Sequence, residues 1–175
     1  MMAPMAPVHD SASGASAPSD LEAAYREHYR SLVRLASLLV DDVPTCEELV
    51  QDAFVRVWRG PRLVAADRLP AYLRSAVLNG ARSHLRRRLV TQRHLPTAPD
   101  PAADPADGAR TGDDQRVLDA LRSLPDRQRE VLALRYYLDL SEAEIARTLG
   151  VSTGSVKTHA HRGLEALAGR LEDLR

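Results

Sequence analysis

LSEAEIARTLGVSTGSVKTHAHRGL, residues 140–164, decides how this chain is read. Ser141 followed three residues later by Glu144 is a capping box, so a helix starts there. Ile145, Ala146 and Leu149 give that helix one apolar face, and Gly150 supplies the turn that ends it. A second helix follows, with Val156, Ala160, Gly163 and Leu164 on one side. Its other side carries Ser155, Thr158, His161 and Arg162, flanked by Lys157 and His159. Two short helices around a glycine turn, the second polar on its outer face, form a helix-turn-helix whose second helix suits the DNA major groove. Arginine can pair bidentately with guanine, and Ser or Thr can donate to phosphate. His159 and His161, two apart on a helix, point to different sides and make a poor metal pair.

The remaining 115–175 segment extends the helical pattern upstream, with one helix over about 115–123 and another restarting at Leu124-Pro125 and running to about Leu138. Preceding it, residues 96–114 (PTAPDPAADPADGARTGDD) hold too little apolar surface to order themselves and read as a flexible acidic linker. Upstream lie three helical segments. The first runs from Leu21 to about Val40, with Tyr25, Tyr29, Leu32, Val33 and Ala36 on one face. After the Asp41-Asp42-Val43-Pro44 break, Thr45 and Glu48 read as a second capping box. Cys46, Leu49, Val50, Ala53, Phe54, Val57 and Trp58 form the apolar side of the helix it opens, with Phe54 and Trp58 expected as core anchors. A third helix begins at Leu69-Pro70, proline being suited to a first turn, and closes on Arg86-Arg87-Arg88. Residues 1–20, rich in Ala, Ser and Pro, read as a disordered tail rather than a secretory signal.

The net charge of zero over 175 residues hides a division. Residues 21–95 hold 13 arginines against eight acids, whereas 96–115 hold five aspartates against one arginine. A basic unit, an acidic joint and a near-neutral unit suit a nucleic-acid partner better than the average does. Aromatic residues are only 4% of a chain dominated by Ala, Leu, Val and Arg, which favours helix over sheet. A single cysteine, Cys46, excludes an intrachain disulfide and a cysteine-rich metal site. No apolar run reaches the length of a membrane span. No Ser-His-Asp pattern, Gly-rich phosphate loop or metal-ligand spacing is present, so neither catalytic residues, metal nor cofactor is expected.

Three stretches carry a resemblance beyond the helix-turn-helix. CEELVQDAFVRVWR (46–59) is similar to the region two-point-two helix of the extracytoplasmic-function (ECF) sigma factors, bacterial members of the sigma-70 family common in actinobacteria. LPAYLRSAVLNGARSHLRRR (69–88) resembles their promoter-melting helix, and LRSLPDRQREVLALRY (121–136) the entry to region four. A helix like that around Lys157 also follows receiver domains in response regulators, but the first half lacks the alternating strands a receiver needs.

The resemblance implies an all-α fold of two small helical domains: region two over 21–95 and region four over 115–175, joined by the linker at 96–114. It implies a cytoplasmic, non-enzymatic factor that binds core RNA polymerase, through the clamp helices of the largest subunit and the flap of the second-largest, and promoter DNA. An anti-sigma factor is a further partner it suggests. Glu48, Gln51, Asp52 and Arg56 fall on the polymerase-docking surface. Asn79 matches a position that holds a base flipped from the minus-ten element, with Arg74, Arg82, Arg86, Arg87 and Arg88 suited to its phosphates and the loop from Gly60 to Arg68 lying over the base. Arg135, Ser155, Lys157, Thr158, His159 and Arg162 fall at or near the minus-thirty-five element. The linker would thread the polymerase channel later used by RNA. The chain departs from the family pattern at Tyr72, Ser83, Lys157 and His159. Two rival readings are a stand-alone dimeric repressor or activator and an anti-sigma or scaffold protein without a DNA role.

Overall fold

The structure is a computed structural model that describes residues 18–60, 64–94 and 112–172. The N-terminal tail and most of the acidic linker lie outside these residues. The described chain is helical: α1 (Pro18–Leu39), α2 (Val43–Arg59), α3 (Leu69–His94), α4 (Gly112–Arg122), α5 (Asp126–Leu132), α6 (Glu142–Leu149) and α7 (Thr153–Glu172). A single 3-10 turn, Ala66–Arg68, leads into α3, and a wide π-helical segment, Ala133–Tyr137, continues α5.

The first three helices pack on one another as a unit. From α2, Cys46, Leu49, Val50, Ala53, Phe54 and Val57 are buried, at the spacing that one helical face requires. They meet Leu32, Leu35, Ala36 and Leu39 of α1 and Leu69, Leu73, Val77 and Leu78 of α3. Tyr25 closes the edge of this core, with ring centroids 5.0 Å from Phe54 and 4.7 Å from Tyr29.

Trp58 corrects the expectation of a core anchor, since it is 65% exposed. At about 100° per residue it stands well off the line through Val50, Ala53 and Val57, and none of the described elements covers it. The start of α2 also differs from the sequence reading. Asp42, not Thr45, is the N-cap, its carboxylate accepting from the Thr45 N–H at 2.8 Å. Pro44 then sits in the first turn, where its missing N–H costs nothing, instead of breaking the chain. The boundaries of α3 and α4 are wider than expected: α3 runs past Arg88 to His94, and α4 starts at Gly112.

The second unit is built from α4–α7. The guanidinium of Arg129, a buried side chain, donates to the Arg122 carbonyl at 2.5 Å and to Asp126 at 2.6 Å. It satisfies a free carbonyl at the end of α4 while fixing α5 against it. The helix-turn-helix follows the sequence reading closely. Ser141 and Glu144 form a reciprocal capping box, and Gly150 takes the left-handed conformation (φ 66°) that ends α6. Ser152 caps α7, its Oγ accepting from the Ser155 N–H at 3.1 Å. Val156, Ala160 and Gly163 face inward as expected, but Leu164 is 42% exposed, because α7 leaves the other helices on that flank.

The two units are not separate in space. The buried apolar cluster runs without a break from α1, α2 and α3 into Val131, Ala133, Leu134, Ile145 and Val156. Polar contacts cross the same boundary. Arg122 donates to the Ser37 carbonyl (2.7 and 3.2 Å), and the Ser75 hydroxyl donates to the Thr148 carbonyl (3.1 Å).

Candidate nucleic-acid interface

Glu48, Gln51, Asp52 and Arg56 are all exposed on the outer side of α2, opposite its buried stripe. Val55 and Trp58 are exposed beside them, so this surface mixes acids, a cation and two apolar side chains. A mostly polar surface around an aromatic side chain is the composition of a protein-docking patch.

On α3, Ser75, Asn79, Arg82 and Arg86 lie within one face, since offsets of four, seven and eleven residues bring side chains back to nearly the same side. Asn79, Arg86 and Arg87 are exposed, while Arg74 and Arg82 are half-buried. The Arg82 guanidinium donates to the Asn79 side-chain oxygen at 2.9 Å. Its remaining nitrogens turn to Glu130 of α5, pairing through Nε with Oε1 and through Nη2 with Oε2 at 2.6 Å. Arg74 is drawn into the cleft between α3 and α6, where burial lowers its affinity for a proton against the opposing pull of Glu144. Among the described residues its Nε has no hydrogen-bond partner. Arg88, nine residues from Asn79, faces the other side of the helix and pairs with Asp41 at 2.6 Å. The arginines grouped together in the sequence reading are thus dispersed around α3.

In the second unit, Glu142 gathers two of the expected DNA contacts. Its carboxylate lies 3.4 Å from Arg135 and 3.6 Å from Lys157. One acid at the start of α6 therefore sets where two cations from separate helical segments stand. Thr158 and Arg162 are exposed on α7, and Ser155 and His159 are half-buried. The Thr158 hydroxyl donates to the Gly154 carbonyl at 3.0 Å, which leaves its oxygen lone pairs free to accept. Ser155 shares a hydrogen bond with the capping Ser152 (2.9 Å). Ser141 donates to the Glu144 carboxylate from its hydroxyl and its backbone N–H, holding that acid below the usual carboxylate range. His161 stands apart from His159 and faces Glu165 at 3.5 Å.

Glu130 and Glu142 were missed from sequence. Glu130 had a readable signal: it occupies an apolar-spaced position in the run Arg127, Glu130, Val131, Leu134, and a charge at a core position demands a partner. Nothing local identified Arg82 as that partner.

Comparison with known proteins places these surfaces in context. Residues 24–89 match the family description "Sigma-70 region 2", and residues 114–167 match "Sigma-70, region 4". The chain is 34% identical over 155 residues to the RNA polymerase sigma-E factor of Streptomyces avermitilis, covering 87% of this chain and 86% of that one. It is 30% identical over 170 residues to the ECF RNA polymerase sigma factor SigL of Mycobacterium tuberculosis, covering 93% and 96%. In fold it is similar to the sigma factor RpoE from Bartonella quintana, solved with the anti-sigma factor NepR (TM-score 0.70, 23% identity, 90% of this chain and 99% of that one). It is also similar to CnrH, solved with the cytosolic domain of CnrY (TM-score 0.67, 23% identity, 87% and 88%). No helix among the described residues is long and apolar enough to cross a membrane.

Proposed function

The chain belongs to the ECF sigma factors of the sigma-70 family, transcription-initiation factors of RNA polymerase, and from that premise we propose how its surfaces divide the work. The exposed face of α2, with Glu48, Gln51, Asp52 and Arg56, docks on the clamp helices of the largest polymerase subunit. The second unit reaches the flap of the second-largest. The α3 face reads and melts the minus-ten element, and α7 reads the minus-thirty-five element. The observation that carries this reading is the placement of Asn79 and Arg86 on one helix and Thr158 and Arg162 on another, exposed on the two family-matched units.

The division of labour follows from chemistry. Arg86 and Arg87 neutralise phosphates, a contribution that weakens with salt. Asn79 offers both an acceptor and a donor to the edge of a flipped base, whose extrusion costs a few kcal/mol. Lys157 acts as a point charge on phosphate, and Arg162 suits bidentate pairing with a guanine edge. The protein works in the cytoplasm, where polymerase is, and an anti-sigma factor is its regulatory partner. The presence of NepR with the similar RpoE supports that last assignment.

The test is reconstitution with core polymerase, followed by sequencing of the transcripts that the holoenzyme starts. Starts clustered downstream of a shared pair of sequence elements are expected. Asn79→Ala should keep core binding while losing open complexes; an unchanged open-complex yield would remove Asn79 from the melting step. A protein that binds duplex DNA tightly alone and never engages core would overturn the whole reading.

A further inference from the structure

We infer that Glu142 is a specificity-determining residue of the minus-thirty-five reader: it positions Arg135 and Lys157 for the promoter and restrains their attraction for DNA of any sequence. The inference rests on the functional reading of α7 and deepens it. Three separate elements converge on this carboxylate. Glu142 stands in the first turn of α6, Arg135 in the π-helical segment and Lys157 in the second turn of α7. Glu142 Oε1 accepts from Arg135 Nη1 at 3.4 Å, and Oε2 lies 3.6 Å from Lys157 Nζ, so each oxygen serves one cation. The turn before α6 brings them together: Asp139 adopts a left-handed φ of 50°, and the Leu140 N–H reaches back to the Leu134 carbonyl at 3.1 Å. Short π-helical segments recur at functional positions. Glu144, the other acid in that first turn, is engaged by Ser141 instead.

Exposure ranks the three groups. The Lys157 side chain is 68% exposed, Arg135 36% and Glu142 30%, so the acid is the most covered and Lys157 the most open to a duplex. An ammonium and a guanidinium each carry several N–H donors, so both can keep the carboxylate and still donate to phosphate or a base edge. Partly exposed ion pairs contribute little to stability. Their consequence here is for binding. One negative charge among two positive ones weakens the sequence-independent, salt-sensitive attraction to phosphate. Two long side chains held on one anchor also lose rotamer freedom before DNA arrives, which leaves less ordering to be done at the promoter. The carboxylate therefore lowers affinity for DNA in general and favours the sequence whose contacts fit the held cations.

Lys157 is the only lysine in the sequence, so the full chain labelled with isotopic lysine gives a single side-chain ammonium resonance in NMR. That resonance should differ from free lysine in the native chain and move toward it in Glu142→Gln. The second arm is holoenzyme binding, over a range of salt, to duplexes with and without the minus-thirty-five sequence recovered from transcript starts. Glu142→Gln should bind the duplex lacking the element about threefold more tightly, with a salt slope steeper by roughly one. Its preference for the promoter should fall about fivefold. Glu142→Asp keeps the charge at the start of α6 but not the reach, so its slope should stay native while preference falls. Far-UV helicity checks folding; should Glu142→Gln lose it, Glu142→Asp decides. A native Lys157 resonance equal to free lysine, folded variants with unchanged preference, or equal weakening on every duplex would overturn the inference. A native holoenzyme without preference for the element would count against the reading of α7 instead, while the Lys157 resonance still decides whether Glu142 holds it.

Discussion

Gly163 of α7 lies directly against Leu132 of α5: a Cβ added to the glycine would stand 3.1 Å from Leu132 Cδ1 and 3.2 Å from its Cγ. Gln128 Cβ would be 3.3 Å away on the same helix. Cγ and Cβ atoms are tethered close to backbone and cannot swing aside as a side-chain tip can. Gly163→Ala gains about 1 kcal/mol of helix propensity but pushes α5 and α7 apart, a strain of about 1–3 kcal/mol. A net loss of stability is expected in a denaturant melt of the full chain. A midpoint raised by the alanine would show that the seam can yield.

Lys157 and Arg162 should fail in different ways. If Lys157 meets phosphate as proposed, Lys157→Ala should weaken holoenzyme binding about equally on all promoters, with a salt slope lower by roughly one. Arg162→Ala should cost roughly 1–3 kcal/mol and relax preference at one position of the minus-thirty-five element. Promoter-library binding at several salt concentrations separates the two. Identical patterns for both variants would refute the assignment.

Asp41 supplies a pH-dependent tie between the α1–α2 corner and α3. Partial burial raises its pKa, but the Arg88 hydrogen bond and charge outweigh that and hold the carboxyl below its ordinary value of 3.8. A lowered folded-state pKa means that the stabilisation is present above the unfolded value and is lost as pH falls through the folded one. Both side chains are about half exposed, so the pair is worth no more than about 0.2–1 kcal/mol and less in high salt. Melting temperatures of the native chain and Asp41→Asn should therefore differ slightly at pH 7 and converge in acid below the carboxylate range. A gap that persists there would mean Asp41 acts through its shape, not its charge.

Cys46 should be chemically silent while the chain is folded. It is 1% exposed, and burial pushes its thiol up to about 11. A shift of that size leaves roughly a hundredfold less thiolate at neutral pH, on top of steric exclusion. Reaction with a disulfide reagent at pH 8 should be slow in buffer and fast in denaturant. Rapid modification of folded protein would show that the first unit opens locally at α2.

The helix-turn-helix was legible from sequence because its determinants are local. Ser141 and Glu144 are three residues apart, and the Gly150 turn and the Val156–Ala160–Gly163 stripe need no distant partner to be recognised. The exposed α2 face was legible for the same reason, since a stripe of buried residues defines its own opposite side. Trp58 and Leu164 were misread where a stripe was drawn too wide. Whether an apolar residue at the edge of a face is buried depends on what lies next to it, and periodicity does not carry that information.

By itself the sequence determined most of the helices, the capping box and glycine turn of the helix-turn-helix, and the division into a basic and a near-neutral unit, because each follows from local composition or from spacings of a few residues. Only the tertiary structure decided that Arg82 belongs to Glu130, 48 positions away, and that Glu142 holds Arg135 and Lys157 together. It also decided that the two units meet through the face of α3 that carries Ser75 and Arg82. Such pairings depend on which helix surfaces meet, and burial makes each of them specific: a charge removed from water must find its partner wherever the packing brings one.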